Sequence, residues 1–367
     1  MPNRPNILIL TALTGGGHLS LAEALRDLLE QEFAITIVNL LPGLFEVSYR
    51  FAGHYALWLW SMAFHLSDSS GQARSVQRLL VPLIDSRLKR ALDQVEPDLV
   101  ITTHPLLSHA ARRVLEKYAP RTPFVLLLSD PYSIHATWFS ERNAAATLAP
   151  TRASRELALA NGFDLGHVHL VGWPVRGQFY RTGGLSRAET LTRLGLDPDR
   201  FTIFLQGGGD GAANFWRSAE RLLALDQRVQ VILATGMNRA LLRRFRGVKN
   251  LFALPFTREI APYMSAADIV MGKAGPNVLF EAVVLGKPFI ATTFIPGQEK
   301  GNLEFIARYG IGQVALKLGQ QRELIRRLVM DDTLADALAV KIKEYRQWNS
   351  DANATILPVI RGLVPGK

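Results

Sequence analysis

Eight histidines, 32 carboxylates and no cysteine leave imidazole and carboxylate as the groups able to move protons near neutral pH. The missing cysteines exclude a thiolate nucleophile, a thiolate metal site and a disulfide framework. Among the histidines, His18 is placed for chemistry. It ends Thr14-Gly-Gly-Gly-His18, between an apolar run and a helical pattern. Glycines such as Gly16 and Gly17 let a ligand approach the backbone, and the helix start offers unpaired N–H groups and a positive dipole end. His18 is either a general base or a structural cap of the first helix. Asp130 ends a strand, where a carboxylate is a base, an orienting group for His18, a turn-former or an N-cap. Thr103-His104-Pro105 ends another strand.

A second glycine turn, Gly207-Gly208-Gly209, follows the strand pattern FTIFLQ and repeats the first arrangement. Two such turns, one opening each half, suit a ligand bound between two domains. The most specific stretch is 268–302, which reads strand, Lys273-Ala274-Gly275-Pro276 turn, helix, Gly-Lys-Pro stop, strand and polar loop. Asn277 and Glu281 share a helix face. A carboxylate there can accept ribose hydroxyls while the helix N-terminus takes phosphate. In the loop that follows, Gln298 and Glu299 offer an amide and a carboxylate to sugar hydroxyls. A dinucleotide site would place an acidic residue at the end of the second strand; Asn39 stands there instead. Asp197-Pro-Asp199 lies in a loop and reads as a turn, so no metal site is expected.

These residues need strands that end at a common edge, and the pattern supplies them. Strands are expected at Asn6–Leu10, Ile35–Leu40, Leu99–Thr103 and Phe124–Ser129, then at Phe201–Gln206, Val229–Ala234, Ile269–Met271 and Phe289–Ala291. Helical patterns lie between them, the first from Leu19 to about Glu30. Strand–helix alternation predicts an α/β fold with parallel sheets covered on both faces. The 367 residues suffice for two domains. The expected division is 1–172, an irregular linker 173–195, 196–345, and a C-terminal segment 346–367 packing back on the first domain. The last helix is expected from Asp331 to about Trp348, before a proline-interrupted tail.

The net charge of +10 is uneven: residues 1–180 carry 16 Lys/Arg against 15 Asp/Glu, and the remainder carries 26 against 17. A basic second half suits a diphosphate or an anionic lipid surface, or is simply solvated surface. No nucleic-acid-binding signature accompanies it. The first apolar run reads as a strand and not as a secretory signal, which points to the cytoplasm or the inner face of the cell membrane. The uncharged aromatic stretch from Phe51 to Ser67 is too short to span a bilayer. Placed on a helix, Phe51, Tyr55, Trp58 and Met62 share a face. That helix lies at a membrane interface, with Arg74, Arg78, Arg87, Lys89 and Arg90 on anionic headgroups, or it is buried.

Several motifs together resemble the monogalactosyldiacylglycerol synthase and processive diacylglycerol glucosyltransferase family. The family is related to the enzyme that adds N-acetylglucosamine to lipid-linked muramyl-pentapeptide. The motifs are Gly15-Gly-Gly-His18 with Ala22-Glu23-Ala24, Thr103-His-Pro105, Thr137-Trp-Phe139, Gly172-Trp-Pro-Val-Arg176, Gly207-Gly-Gly209, and Lys273-Ala-Gly-Pro276 through Asn302. The resemblance implies a GT-B fold of two Rossmann-like domains and an inverting transfer of galactose or glucose from a UDP-hexose to a lipid acceptor such as diacylglycerol. By matching position, His18 is the expected base and Glu281 binds ribose. Gln298 and Glu299 bind the hexose, Gly207–Gly209 and the 275–277 turn surround the diphosphate, and the backbone near Phe256 meets uracil. From the residues themselves, Trp138 and Phe139 either stack on an acceptor headgroup or line an acyl groove, or they are an aromatic pair packed under a loop. His104 at a strand end facing the cleft, and Tyr55 and Trp58 of the aromatic stretch, are the other candidate acceptor contacts. Retaining enzymes of this fold often carry two glutamates eight positions apart in this region; the residue eight after Glu281 is Phe289, which favours inversion.

Overall fold

The computed structural model describes residues 4–12, 16–41, 70–181, 184–207, 216–224 and 228–364. Gly208, Gly209 and the aromatic segment containing Tyr55 and Trp58 lie outside the described residues. Among the described residues, no helix is long and apolar enough to cross a membrane.

The chain forms two compact units. One comprises Met1–Arg176, Pro296–Gly301 and Trp348–Lys367; the other comprises Gly177–Ile295 and Asn302–Gln347. Each is built on a six-stranded parallel sheet. Parallel strands are covered on both faces, so their sequences are apolar runs without alternation. NILILT and LVIT have this character, and Ile7–Leu10 and Leu99–Ile101 are wholly buried.

The first unit contains β1 (Asn6–Thr11), β2 (Ala34–Asn39), β3 (Leu99–Thr102), β4 (Phe124–Leu127), β5 (Ala146–Ala149) and β6 (Val168–Leu170), in the order β2-β1-β3-β4-β5-β6. Its helices include α1 (Gly17–Leu29), α2 (Ser70–Val95), α3 (Ser108–Tyr118) and α4 (Arg152–Ala160). The strand order reverses between β1 and β3, so the loops after those strands open at the topological switch point, where ligands bind in such sheets.

In the second unit, α5 (Arg187–Arg193) precedes β7 (Phe201–Gln206), α6 (Trp216–Leu223), β8 (Val229–Gly236), α7 (Arg239–Phe245), β9 (Leu251–Pro255) and α8 (Ala261–Ala266). Then come β10 (Ile269–Lys273), α9 (Pro276–Val284), β11 (Phe289–Thr293), α10 (Lys300–Tyr309), β12 (Gly312–Val314) and α11 (Leu318–Met330). The order β12-β11-β10-β7-β8-β9 is the Rossmann order, with its switch point between β7 and β10.

The sequence reading missed β5, β6, β9 and β12. ATLA and VHL are only four and three residues long, too short to show a strand pattern of their own, and the neighbouring strands make them part of a sheet. The stretch read as an irregular linker contains α5, started by a capping box: the Ser186 hydroxyl accepts from Glu189 N–H, and Ser186 N–H donates to the Glu189 carboxylate at 2.8 Å. The C-terminal tail is also helical. Helix α12 runs Asp332–Asn353, past the expected end at Trp348, and α13 follows over Ile356–Leu363. Pro358 falls in the first turn of α13, where no amide is needed for the helix ladder.

The end of α12 is tied to the first unit through backbone groups. Asn349 accepts from Trp173 N–H at 2.7 Å and donates to the Trp173 carbonyl at 3.0 Å, while Asn353 donates to the Val171 carbonyl at 2.8 Å. Gly172 has φ +70°, and a Cβ there would sit 2.5 Å from Asn353 Nδ2 and 2.7 Å from the Asn349 carbonyl oxygen. Only glycine fits this position.

Candidate functional site

In the first unit, three neighbouring strand ends carry the proton-moving groups. Gly16, with φ +80°, turns the chain into α1, so His18 stands in the first turn of that helix. Its Nδ1–H donates to the Thr103 carbonyl oxygen at 2.7 Å, and the Thr103 hydroxyl donates back to the His18 carbonyl at 3.1 Å. Thr103 therefore grips both the ring and the backbone of His18. With Nδ1 carrying the proton, Nε2 is the basic nitrogen of the neutral ring.

The His104 ring lies 4.2 Å from that of His18, centroid to centroid, tilted by 54°. Its Nδ1 accepts from the Leu106 amide at 3.2 Å, so the neutral ring carries its proton on Nε2. Burial holds His18 down to about 4, opposed by the Thr103 hydrogen bond. Burial and the neighbouring His18 push His104 well below its ordinary value. Both rings are neutral at pH 7.

Asp130, after β4, accepts at Oδ2 from the Trp138 indole N–H at 3.1 Å. Of the two readings of Trp138 and Phe139, the observed arrangement is the packed one and not an open acceptor contact: Trp138 is fully buried and Phe139 nearly so, in one core cluster, with Phe139 edge-on to Phe163. Hydrogen bonds to the loop backbone hold them there. Gln77 donates to the Thr137 and Pro105 carbonyls at 2.8 and 3.0 Å, and the Ser108 hydroxyl donates to the Thr137 carbonyl at 3.0 Å. Trp138 thus holds Asp130 through its indole N–H and is itself fully buried. His104, 3 % exposed, likewise presents little surface.

Residues 296–301 belong to this unit, and Gly301 packs so closely on Ser133 that a Cβ would lie 2.5 Å from the serine hydroxyl. In the same loop Glu299 is buried, and Gln298 Oε1 is a buried acceptor without a hydrogen-bond partner. Such an acceptor is costly unless a donor reaches it, and a sugar hydroxyl is one group that can supply the hydrogen bond.

The second unit builds a different arrangement at its switch point. β10 ends at Lys273, Gly275 is the N-cap of α9 with no side-chain cap, and Pro276 is the first helical residue. The open helix start leaves backbone N–H groups and a positive dipole end for an anion. Gly272 has φ +154°, and a Cβ on it would collide with the Gln206 carbonyl, so this glycine lets β10 lie against the end of β7, beside Gly207. Ala274 is buried and contributes backbone only. Asn302 is also buried and donates to the Ala274 carbonyl at 2.7 Å, so it braces the turn. Asn277 is half-buried and Glu281 is 7 % exposed, one turn further along α9. Phe256, just beyond β9, is 57 % exposed, a large apolar ring at a strand end. The Asp197-Pro-Asp199 turn closes on itself: Asp197 accepts from Asp199 N–H at 3.0 Å and pairs with Arg200.

The pattern of the family described as monogalactosyldiacylglycerol (MGDG) synthase matches residues 18–175, and the glycosyltransferase family 28 C-terminal domain matches residues 202–304. A probable chloroplastic monogalactosyldiacylglycerol synthase 2 of Oryza sativa subsp. japonica is 30% identical over 330 residues, covering 84% of this chain and 70% of the rice protein. The chain belongs to the monogalactosyldiacylglycerol synthase family. It is a glycosyltransferase of GT-B fold. Among solved structures it is similar to a UDP-glucosyltransferase from Polygonum tinctorium, with TM-score 0.66, 14% identity and full coverage of both chains. It is also similar to a UDP-N-acetylglucosamine 2-epimerase, with TM-score 0.58, 12% identity and coverage of 92% and 91%. At such identities the likeness is one of fold.

Within the synthase-matched segment lie His18, Thr103, His104, Asp130 and Trp138; within the family 28 segment lie Gly207, Phe256, Lys273–Asn277, Glu281, Gln298, Glu299 and Asn302. Three residues important to this arrangement were not singled out from sequence: Thr103 as the partner of His18, and Gln77 and Ser108 beneath the Thr137 loop. The Thr-His-Pro motif was the available signal for the first. Nothing local distinguishes Gln77, a glutamine on the buried face of α2.

Proposed function

We propose that this synthase-family chain is an inverting glycosyltransferase that moves a hexose, galactose or glucose, from its UDP ester to the hydroxyl of a membrane lipid such as diacylglycerol. The observation that carries the reading is the His18–Thr103 clamp: a neutral imidazole with its Nδ1 proton spent on a carbonyl is a base at Nε2. His18 takes the acceptor hydroxyl proton as that oxygen attacks the anomeric carbon. The bond to the UDP oxygen breaks, UDP leaves with its electron pair, and the anomeric configuration inverts. Asp130, steadied by Trp138, is the alternative base for this proton.

On the donor side, the uncapped start of α9 with Gly207 receives the diphosphate. Positive charge fixed there stabilises the leaving group as its charge develops, so no obligatory metal is expected. Glu281 takes ribose hydroxyls, Phe256 flanks the uracil, and Gln298 with Glu299 takes hexose hydroxyls. The UDP and sugar named in complexes with the solved relatives of this fold agree with such a donor. With a lipid acceptor, the enzyme would work as a peripheral protein on an anionic membrane surface, and the inner face of the cell membrane is the location we propose for it.

The test is UDP release from UDP-galactose and from UDP-glucose, with and without diacylglycerol in vesicles, and NMR of the product's anomeric proton. Lipid-dependent release, lost in His18→Ala while UDP binding persists, is expected. Epimerised nucleotide sugar formed without lipid would replace the transferase reading, and a retained anomer would rule out the single-base mechanism.

A further inference from the structure

The loop 256–260, between β9 and α8 of the second unit, presents the Phe256 ring to solvent, and the backbone on either side of that ring is fixed. Before it, the Leu254 carbonyl accepts from the Thr235 hydroxyl at 2.9 Å. After it, Glu259 N–H donates to the Thr257 hydroxyl oxygen at 3.2 Å, which closes a tight turn. Three further backbone groups go to one side chain from elsewhere in the sequence. Gln178 Oε1 accepts from Ile260 N–H at 2.9 Å and from Ala261 N–H at 3.1 Å, and Gln178 Nε2 donates to the Arg258 carbonyl at 2.9 Å. Two N–H donors on one side require the oxygen there, so this network fixes the orientation of the glutamine amide.

Gln178 is itself held in place. It is the second residue of the second unit and lies in a one-turn helix, Gly177–Phe179, where Tyr180 N–H donates to the Gly177 carbonyl at 3.0 Å and Phe179 is buried. Helix α8 starts without a cap from the side chain of its own N-cap residue, Ile260, and Pro262 brings no amide to its first turn. The cap comes instead from Gln178, 82 residues before Ile260. Caps are ordinarily short local side chains. A distant glutamine that also takes the Arg258 carbonyl does more than start a six-residue helix; it sets the shape of the loop that precedes it. An aromatic ring on a loop held in this way meets a flat ligand without first losing the entropy of a free loop. The loop's other tie, Arg181 with Glu259 at 3.7 Å, joins two well-exposed side chains and contributes little.

We propose that Gln178 is a positioning residue for donor recognition: by pinning the 258–261 backbone it holds Phe256 against the donor's pyrimidine base, and so sets the preference for a uridine over a purine nucleoside diphosphate. The proposal rests on the reading of Phe256 as the residue that flanks uracil, and it adds the group that keeps Phe256 there. Gln178 acts through the loop and takes no part in the breaking or making of bonds.

The experiment is calorimetric titration of the full chain with UDP and with ADP, which share the ribose and diphosphate and differ in the base. Gln178→Ala is expected to weaken UDP binding about tenfold, the worth of its lost hydrogen bonds, and to leave ADP binding within about twofold. With UDP-hexose as donor, KM rises by about the same factor while kcat stays within about twofold. Gln178→Glu keeps the acceptor for the two amides but cannot donate to the Arg258 carbonyl, so it recovers part of the loss and serves where the alanine variant folds poorly. Arg181→Gln removes only the exposed ion pair to the same loop and is expected to leave the ratio of UDP to ADP affinity unchanged. In a Phe256→Ala background, Gln178→Ala is expected to change UDP binding by less than about twofold, because the ring it positions is gone. Equal losses of UDP and ADP, unchanged UDP binding by Gln178→Ala, or the full loss in the Phe256→Ala background would overturn the proposal. Hydrogen exchange at the Ile260 and Ala261 amides separates the two readings. Faster exchange in Gln178→Ala with UDP binding intact overturns the positioning role alone. A wild-type chain that binds UDP no better than ADP overturns the placement of uracil at Phe256, and this role with it.

Discussion

Lowering the pH titrates the proposed base directly, and the structure gives both the sign and the size of the effect. Burial moves His18 from 6.5 to about 4, with Thr103 opposing the change. That difference corresponds to about 3 kcal/mol against the imidazolium, an upper bound for a ring that keeps some contact with water. At pH 7 roughly one molecule in a thousand carries a charged His18. The rate constant kcat/KM for the acceptor, which reports the free enzyme, should therefore stay level from pH 7 to about 5 and fall to half near 4. The stability linkage runs the same way. The folded pKa lies below the unfolded one, so the neutral ring's contribution is intact above about 6.5 and is lost as pH falls from there toward 4. The assay is initial-rate kinetics across this range, with the His18 ring protons followed by NMR and tryptophan fluorescence reporting the fold. A His18 titration near 6.5 in the folded protein, coinciding with the acid limb, would refute the account of a desolvated base.

Three other perturbations address the neighbouring parts. Gln298→Leu removes a buried unpartnered acceptor, so the free protein should keep or raise its Tm, while KM for UDP-hexose rises about tenfold and inhibition by UDP is unchanged. Gly301→Ala drives a methyl into Ser133 and should cut kcat. Adding Ser133→Gly removes two of the three close atoms and should recover part of the loss, a coupling of about 1 kcal/mol read from a double-mutant cycle. Asn349→Ala deletes the two hydrogen bonds to Trp173 and should destabilise the first unit by about 2–4 kcal/mol in urea unfolding, with little change in KM.

What could be read in the sequence is what depends on neighbours along the chain. The apolar runs of β1, β3, β4, β7 and β8 announce parallel strands because both faces of such strands are covered. Glycine turns leading into helices mark where a ligand can approach the backbone. The four-residue β5 and three-residue β6 carry no such signature; the sheet makes them strands. The aromatic pair Trp138-Phe139 is equally compatible with a ligand face and a packed core, and the choice is made by Gln77, 60 residues from Thr137, and by Ser108.

The base itself shows the same division. A histidine on a glycine turn can be found by inspection, but an imidazole becomes a base of defined direction only when one nitrogen is committed. The group that commits it, the Thr103 carbonyl, is 85 residues away and chemically identical to every other backbone carbonyl. Its identity therefore depends on β1 and β3 pairing in the observed register, Leu10 against Thr102, which brings the two strand ends level. A register slip would leave the His18 side chain in place but remove the partner that sets its tautomer. Position in the chain gives the residue its opportunity; the pairing of β1 with β3 gives it a role.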